Sequence, residues 1–139
     1  MRIAVTARAI VLNPNGQLLI IRRSATDPSH GGKWDLPGGR ANTGEDARAA
    51  AIRETREEIG LNLALPDLLY GVSAARSDGS GTWLFFAERV PADATISLGN
   101  EHDAFKWVDF VDMPKYTDYE LLLGMYAYVT EHRLLELVA

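Results

Sequence analysis

Residues 38–61 read GGRANTGEDARAAAIRETREEIGL, and the reading of this stretch decides the fold. Gly38 and Gly39 open it, a polar turn follows, and a helix gathers charge toward its end at Arg53-Glu54-Thr55-Arg56-Glu57-Glu58. Glu54, Glu57 and Glu58 stand at i, i+3 and i+4, which puts their side chains on one helical face. Like charges at that spacing destabilise a helix by roughly 0.2–0.5 kcal/mol per pair, so a cation is needed to offset them. A hard divalent metal, Mg²⁺ or Mn²⁺, suits carboxylate oxygens and commonly binds beside substrate phosphates. The same spacing also describes a solvated surface turn with Arg53 and Glu57 as an i,i+4 ion pair, and composition alone favours that reading.

Outward from this stretch, the N-terminal side reads as a β-hairpin. Ile3 to Leu12 and Gln17 to Arg23 are apolar runs, and Asn13-Pro14-Asn15-Gly16 between them is a turn cluster. Ser24 to Lys33 is a polar loop that delivers Trp34-Asp35-Leu36-Pro37 to the paired glycines. Thr43 is the expected N-cap of the central helix, with Glu45 and Asp46 in its first turn and Gly60 as its C-cap. Small alanines at 47, 50 and 51 let that helix approach a sheet closely.

On the C-terminal side, Leu61 to Ala75 and Thr82 to Val90 read as strands joined through the glycine-rich stretch Ser77 to Gly81, which is expected to be mobile. Pro91 to Asn100 is a connection and Ala104 to Val108 a short strand. Met113-Pro114 interrupts the chain, and Thr117-Asp118-Tyr119-Glu120 has the form of a capping box ahead of a terminal helix running from Leu121 to Leu137. Hairpin, helix, further strands and terminal helix make an α+β protein, a sheet sandwiched by two helices.

The chain has 139 residues, the size of one domain, and can bury about two-thirds of its unfolded surface. It has no cysteine, which removes disulfides, thiolate metal sites and cysteine nucleophiles. No apolar run approaches the ~20 residues that span a bilayer, and the N-terminus has no targeting pattern; a cytoplasmic protein without membrane contact is expected. A net charge of −5 argues against broad nucleic-acid binding but not against a phosphorylated small molecule, because a metal can supply local positive charge. His30, His102 and His132 are too scattered for a metal triad and have no serine partner for a hydrolytic triad.

The central stretch resembles the Nudix box, G-x5-E-x7-R-E-U-x-E-E-x-G-U, in which U is a bulky aliphatic residue. Gly39, Glu45, Arg53, Glu54, Glu57, Glu58, Gly60 and Leu61 occupy its fixed positions, and the departure is Thr55, where the pattern prefers Ile, Leu or Val. The resemblance implies one Nudix domain over residues 1–139, an α/β/α sandwich around a mixed sheet. It also implies Mg²⁺-dependent hydrolysis, with Mn²⁺ as a substitute, of a nucleoside diphosphate linked to a further group. Glu54, Glu57 and Glu58 are then metal ligands, and Glu54 is also the candidate to orient or deprotonate the attacking water. Arg53 holds the glutamates by ion pairing, Glu45 partners it, Gly38 offers a backbone carbonyl to the metal, and Gly39 gives the loop its backbone freedom. Glu101, before Phe105-Lys106-Trp107-Val108, matches the position of a further acidic metal ligand outside the box.

By resemblance to MutT-like members, Arg23 is the arginine that meets a substrate phosphate, while Arg22 points to the opposite face of its strand. Trp34, Trp83, Phe85 and Tyr119 are candidates to stack on a base, with Trp34 preferred, and Asp118 is read as stabilising the terminal helix. Positions that mark ADP-ribose and diadenosine polyphosphate hydrolases hold Arg76 and Asp78 instead of proline and tyrosine. The expected reaction is therefore cleavage of a (d)NTP to the monophosphate and pyrophosphate by a monomer or homodimer. The alternatives are a nucleotide sugar or dinucleotide as substrate, or a non-catalytic module that binds a nucleotide.

Overall fold

The computed structural model describes residues 3–76 and 79–139. Its elements in chain order are β1 (Ala4–Leu12), β2 (Leu18–Arg23), β3 (Trp34–Asp35), β4 (Gly38–Arg40), α1 (Ala47–Ile59), β5 (Asp67–Arg76), β6 (Gly79–Arg89), β7 (His102–Val108) and α2 (Glu120–Glu131). Among the described residues the strands form one mixed sheet in the order β3-β2-β1-β6-β5, with β4 paired to β1 and β7 to β2. β1 and β6 run parallel from Ala4↔Gly81 to Leu12↔Arg89, and the other pairings are antiparallel.

β1 alternates between two buried faces. Ile10 and Leu12 join Leu18, Ile20, Phe85, Leu122 and Met125 in the core under α2. Ala7, Ala9 and Val11 join Leu19, Ile21, Ala51 and Ile59 in the core under α1. Apolar surface on both sides of the central strands accounts for an α+β sandwich with a helix on each face, as expected.

The expected hairpin forms at its turn and then opens. Leu12↔Leu18 is the paired position of β1 and β2, and beyond it the strands splay into a fork. Residues 34–40 fill that fork: β3 pairs with β2 through Ile21↔Asp35, and β4 pairs with β1 through Arg8↔Gly38. The Ala9 amide donates to Pro37 O at 2.8 Å between the two short strands. The paired glycines thereby sit in the middle of the sheet.

Several expected boundaries move, each for a local reason. α1 begins at Ala47 because Asp46, rather than Thr43, is its N-cap and accepts from the Ala49 amide at 3.1 Å. Glu45 and Asp46 thus precede the first turn, while Gly60 is the left-handed C-cap as anticipated. β5 starts at Asp67, not Leu61: residues 61–66 bury Leu63 and Leu65 without a strand ladder. The Glu88 carboxylate accepts from the Ala64 and Leu65 amides, and Arg48 donates to Leu65 O. Of the stretch expected to be mobile, Ser77 and Asp78 lie outside the described residues, and Gly79 to Gly81 belong to β6.

Phe110–Lys115 is a short 3-10 helix containing Pro114. The capping box at Thr117 does not form; Thr117 Oγ1 accepts from Tyr119 N, and the helix starts at Glu120, one residue before the expected Leu121. α2 ends at Glu131 because Arg133 is left-handed, and a 3-10 turn at Leu134–Leu137 carries on the apolar pattern.

Thr55, the departure from the motif, is fully buried and its hydroxyl has no hydrogen-bond partner among the described residues. Thr55→Val replaces an unsatisfied buried hydroxyl with a methyl of similar volume, so stability should rise by about 1 kcal/mol in urea denaturation with unchanged turnover. A loss of stability would mean that the hydroxyl is satisfied in solution.

Candidate active site

The site is the meeting of the β3–β4 turn with the C-terminal half of α1. Gly38 has φ +137° and lies so close to β1 that a Cβ would come 2.2 Å from Ala7 O. This close approach aims the Gly38 amide at Glu58, whose Oε1 accepts it at 2.7 Å. Gly39 faces Glu54, and a Cβ there would meet Glu54 Cδ at 2.7 Å. Two of the three box glutamates on α1 are therefore held against the paired glycines.

Arg53 organises the carboxylates from within the helix. It grips Glu45 with two bonds, Nε to Oε2 at 2.9 Å and Nη2 to Oε1 at 3.0 Å, and donates to Glu54 Oε1 at 2.9 Å. Glu57 lies 3.8 Å away and is 56% exposed. The bond to Arg53, reinforced by the Asn42 amide, lowers the Glu45 pKa to about 2. Glu45 and, beyond it, Glu54 raise that of Arg53 in turn. The fork geometry makes this a charge-assisted brace between the loop and the helix.

Glu58 is in a different position. It is 5% exposed, and burial raises its pKa from 4.5 to about 7 against the opposing effects of the Gly38 amide and Arg8. No ion pair reaches it among the described residues. A buried carboxylate with one amide donor is a group that a cation would stabilise, and the neighbouring donors are all carboxylate or carbonyl oxygens, the set a hard divalent metal takes. The residues fit such a metal in kind. They are not drawn into a tight cage: among the described residues, no three His, Asp or Glu side chains are close enough together to hold an ion. Arg53 stands between Glu54 and Glu57, and Gly38 O accepts from Arg8 Nη1 at 3.0 Å.

Beside this centre is an open cavity of about 820 Å³, lined by Arg8, Arg23, Lys33, Trp34, Asp35 and Tyr119 among others. Arg23 and Trp34, the residues expected to contact substrate, both line it. Trp34 lies edge-on to Tyr116, with the Arg22 guanidinium 5.5 Å from its ring centre. Phe85 is buried in the core and cannot stack on a ligand, and Trp83 packs against the same core. Asp118 lines the cavity and is not the cap of α2, a position held by Tyr119. Glu101 is 67% exposed and pairs with Arg23 at 3.3 Å.

Arg8 was not anticipated. It pairs with Asp35 at 3.2 Å and donates to Gly38 O, so it joins the cavity wall to the glycine turn. One signal was present: an arginine in an otherwise apolar strand, at a position that should be buried. His102 is also buried beside this group, with burial lowering its pKa and, among the described residues, no hydrogen-bond partner for Nδ1.

The NUDIX domain profile matches residues 2–127. An octanoyltransferase of Myxococcus xanthus is 42% identical over 100 residues, but the chain spans only 27% of its length. A Bacillus subtilis protein described provisionally as an 8-oxo-dGTP diphosphatase is 37% identical over 102 residues, 73% of this chain and 64% of that one. An RNA pyrophosphohydrolase of Gluconacetobacter diazotrophicus is 36% identical over 129 residues, 77% of each. The crystal structure of a MutT protein from Methanosarcina mazei superposes with a TM-score of 0.81 at 24% identity, covering 93% of this chain and 94% of that one, which establishes the shared fold. With three of the box glutamates on α1, the paired glycines in the fork of the sheet and the profile matched along most of the chain, the protein belongs to the Nudix family.

Proposed function

We propose that the protein hydrolyses the phosphoanhydride of a nucleoside triphosphate, releasing the monophosphate and pyrophosphate, with Mg²⁺ or Mn²⁺ as cofactor. The observation that carries this reading is the buried Glu58 carboxylate, bonded to the glycine turn beside a cavity walled by Arg8 and Arg23. A metal bound by Glu54, Glu57, Glu58 and the Gly38 carbonyl, with Glu101 as a further ligand, would neutralise phosphate charge and acidify water. The remaining chemistry falls to the chain. Glu54 is the candidate to take the proton as water oxygen bonds to phosphorus and the anhydride P–O bond breaks, the electron pair leaving with pyrophosphate. Arg23 binds a substrate phosphate, Trp34 packs against the nucleoside, and Arg53 with Glu45 keeps the glutamates in register.

The proposed setting is the cytoplasm, with the whole chain acting as one domain, in a monomer or homodimer. A chain without cysteine suits a reducing compartment, and no helix among the described residues is long and apolar enough to cross a membrane. The RNA pyrophosphohydrolase relative favours one second reading, the same bond broken at the 5′ triphosphate of an RNA.

The test is a substrate panel with Mg²⁺ or Mn²⁺: canonical and oxidised nucleoside triphosphates, a 5′-triphosphorylated oligoribonucleotide, nucleotide sugars and dinucleoside polyphosphates. Chromatography should show pyrophosphate and a monophosphate rather than stepwise phosphate release. Glu57→Gln should keep its fold and lose at least about tenfold in kcat, the scale of a lost metal-site group. Turnover at the wild-type rate in that variant would remove Glu57 from the metal site.

A further inference from the structure

We infer that Glu101 is an exchangeable counter-ion, shared between Arg23 and the divalent cation, so that metal binding beside α1 releases Arg23 to take a substrate phosphate. The inference rests on the metal-dependent reading above and adds an order to it.

The main chain around Glu101 is fixed at both sides. Ahead of it, the Ser97 amide donates to Ile59 O at 2.9 Å and the Gly99 amide to Glu58 O at 3.0 Å. These are carbonyls that the end of a helix leaves without intrahelical partners, so the segment is stitched to the backbone of the buried glutamate itself. Behind it, the Ser24 amide donates to Glu101 O at 2.9 Å, and the next residue, His102, is buried. The Glu101 backbone is thereby held between Glu58 and the residue that follows Arg23. Its side chain is 67% exposed and pairs with Arg23.

Arg23 is in a complementary position. It lines the cavity and is close enough to Glu58 to lower its pKa. Yet Nη1 is already engaged by Glu101 at 3.3 Å and Asp27 at 3.8 Å. A guanidinium that faces two carboxylates presents less net charge to a phosphate. An exposed ion pair of this kind contributes little net stability, so exchanging it is cheap. A doubly charged ion beside the α1 carboxylates competes for Glu101 more strongly than a single guanidinium does. When Glu101 turns to it, Arg23 loses a carboxylate as the site gains a cation. By linkage the effect is reciprocal: a phosphate on Arg23 must favour Glu101 on the metal.

A double-mutant cycle on binding tests this, using Arg23→Gln, Glu101→Gln and the double variant, with folding checked by thermal melts. In the first arm, Mn²⁺ alone is titrated into nucleotide-free protein and followed by electron paramagnetic resonance. Arg23→Gln should bind Mn²⁺ about twofold to fivefold tighter, the equivalent of an exposed ion pair, and this gain should vanish in the Glu101→Gln background. In the second arm, α,β-methylene-dGTP is titrated calorimetrically. With EDTA present Glu101→Gln should bind the analogue about twofold to fivefold tighter than wild type, and with Mn²⁺ it should bind more weakly. Arg23→Met, which removes the charge and keeps an unbranched stem, replaces Arg23→Gln if that variant melts early.

Independent, additive effects in the first arm would overturn the exchange. A shift of the same sign with and without Mn²⁺ in the second arm would overturn it as well. Both arms read binding, so a protein that turned over no nucleotide would count against the proposed reaction and leave this result intact.

Discussion

Replacing Glu58 with glutamine is expected to abolish turnover and, in the same protein, to increase stability above neutral pH. Glutamine keeps an oxygen to accept the Gly38 amide, now at 2.7 Å from the carboxylate, but cannot carry charge. Losing a catalytic electrostatic group should lower kcat at least about a hundredfold. The stability gain follows from linkage. Burial raises the folded-state pKa from 4.5 to about 7, so the folded protein binds a proton that the unfolded chain releases. That stability is fully present below about pH 4.5 and is lost as pH rises through about 7. At about 1.4 kcal/mol per pH unit, the gap between 4.5 and about 7 is worth on the order of 3 kcal/mol.

Urea denaturation in EDTA measures this directly. Wild-type protein should lose stability between pH 5 and pH 8, whereas Glu58→Gln should lose much less over that range and be the more stable of the two at pH 8. Added Mg²⁺ should raise the wild-type melting temperature more at pH 8 than at pH 5, because only the ionised carboxylate attracts it. Identical pH slopes in the two proteins would show that Glu58 is not held in a desolvated site.

The second large effect separates two adjacent glycines. Gly38→Ala places a Cβ 2.2 Å from Ala7 O and 2.7 Å from Arg8 Cα, on a backbone with φ +137° that an L side chain rarely adopts. Both obstacles are main chain, so β4 must move off β1, at a cost of about 3–5 kcal/mol or outright failure to fold. In Gly39→Ala the atom met is Glu54 Cδ at 2.7 Å, near the end of a flexible side chain. Glu54 can swing aside, and stability should change by less than about 1 kcal/mol. The displaced carboxylate is nevertheless the proposed base, and misplacing a reacting group by an ångström costs up to about a hundredfold in rate. Melting temperature and kcat together decide it. A Gly39→Ala protein with wild-type kcat would remove Glu54 from the chemistry, and a stable, active Gly38→Ala protein would contradict the close approach of β4 to β1.

Whereas the Arg53–Glu45 partnership is implied by the resemblance to the Nudix box, the shared face of Glu54, Glu57 and Glu58 and the paired glycines are legible in the residues alone, through helical periodicity and turn composition. So are the α+β class and most strands, since alternating apolar residues state which segments must be covered. The errors have a common cause. Leu61 to Leu65 looks like a strand because its leucines alternate and Leu63 and Leu65 are buried, but the Ala64 and Leu65 amides bond to Glu88 rather than to a ladder. The terminal helix keeps its apolar pattern past Glu131, although the backbone turns left-handed at Arg133. Burial pattern and backbone pairing are different quantities, and a sequence displays chiefly the first.

The linear chain therefore determined the carboxylate helix and the glycine turn that faces it. Tertiary structure alone decided that β1 and β2 fork and admit residues 34–40, that Arg8 ties Asp35 to Gly38, and that one glutamate of three is buried. The physical reason is range. Periodicity and capping act within a few residues, whereas the Gly38 amide and the Arg8 charge that act on Glu58 stand 20 and 50 positions away along the chain, and only the folded sheet brings them to it.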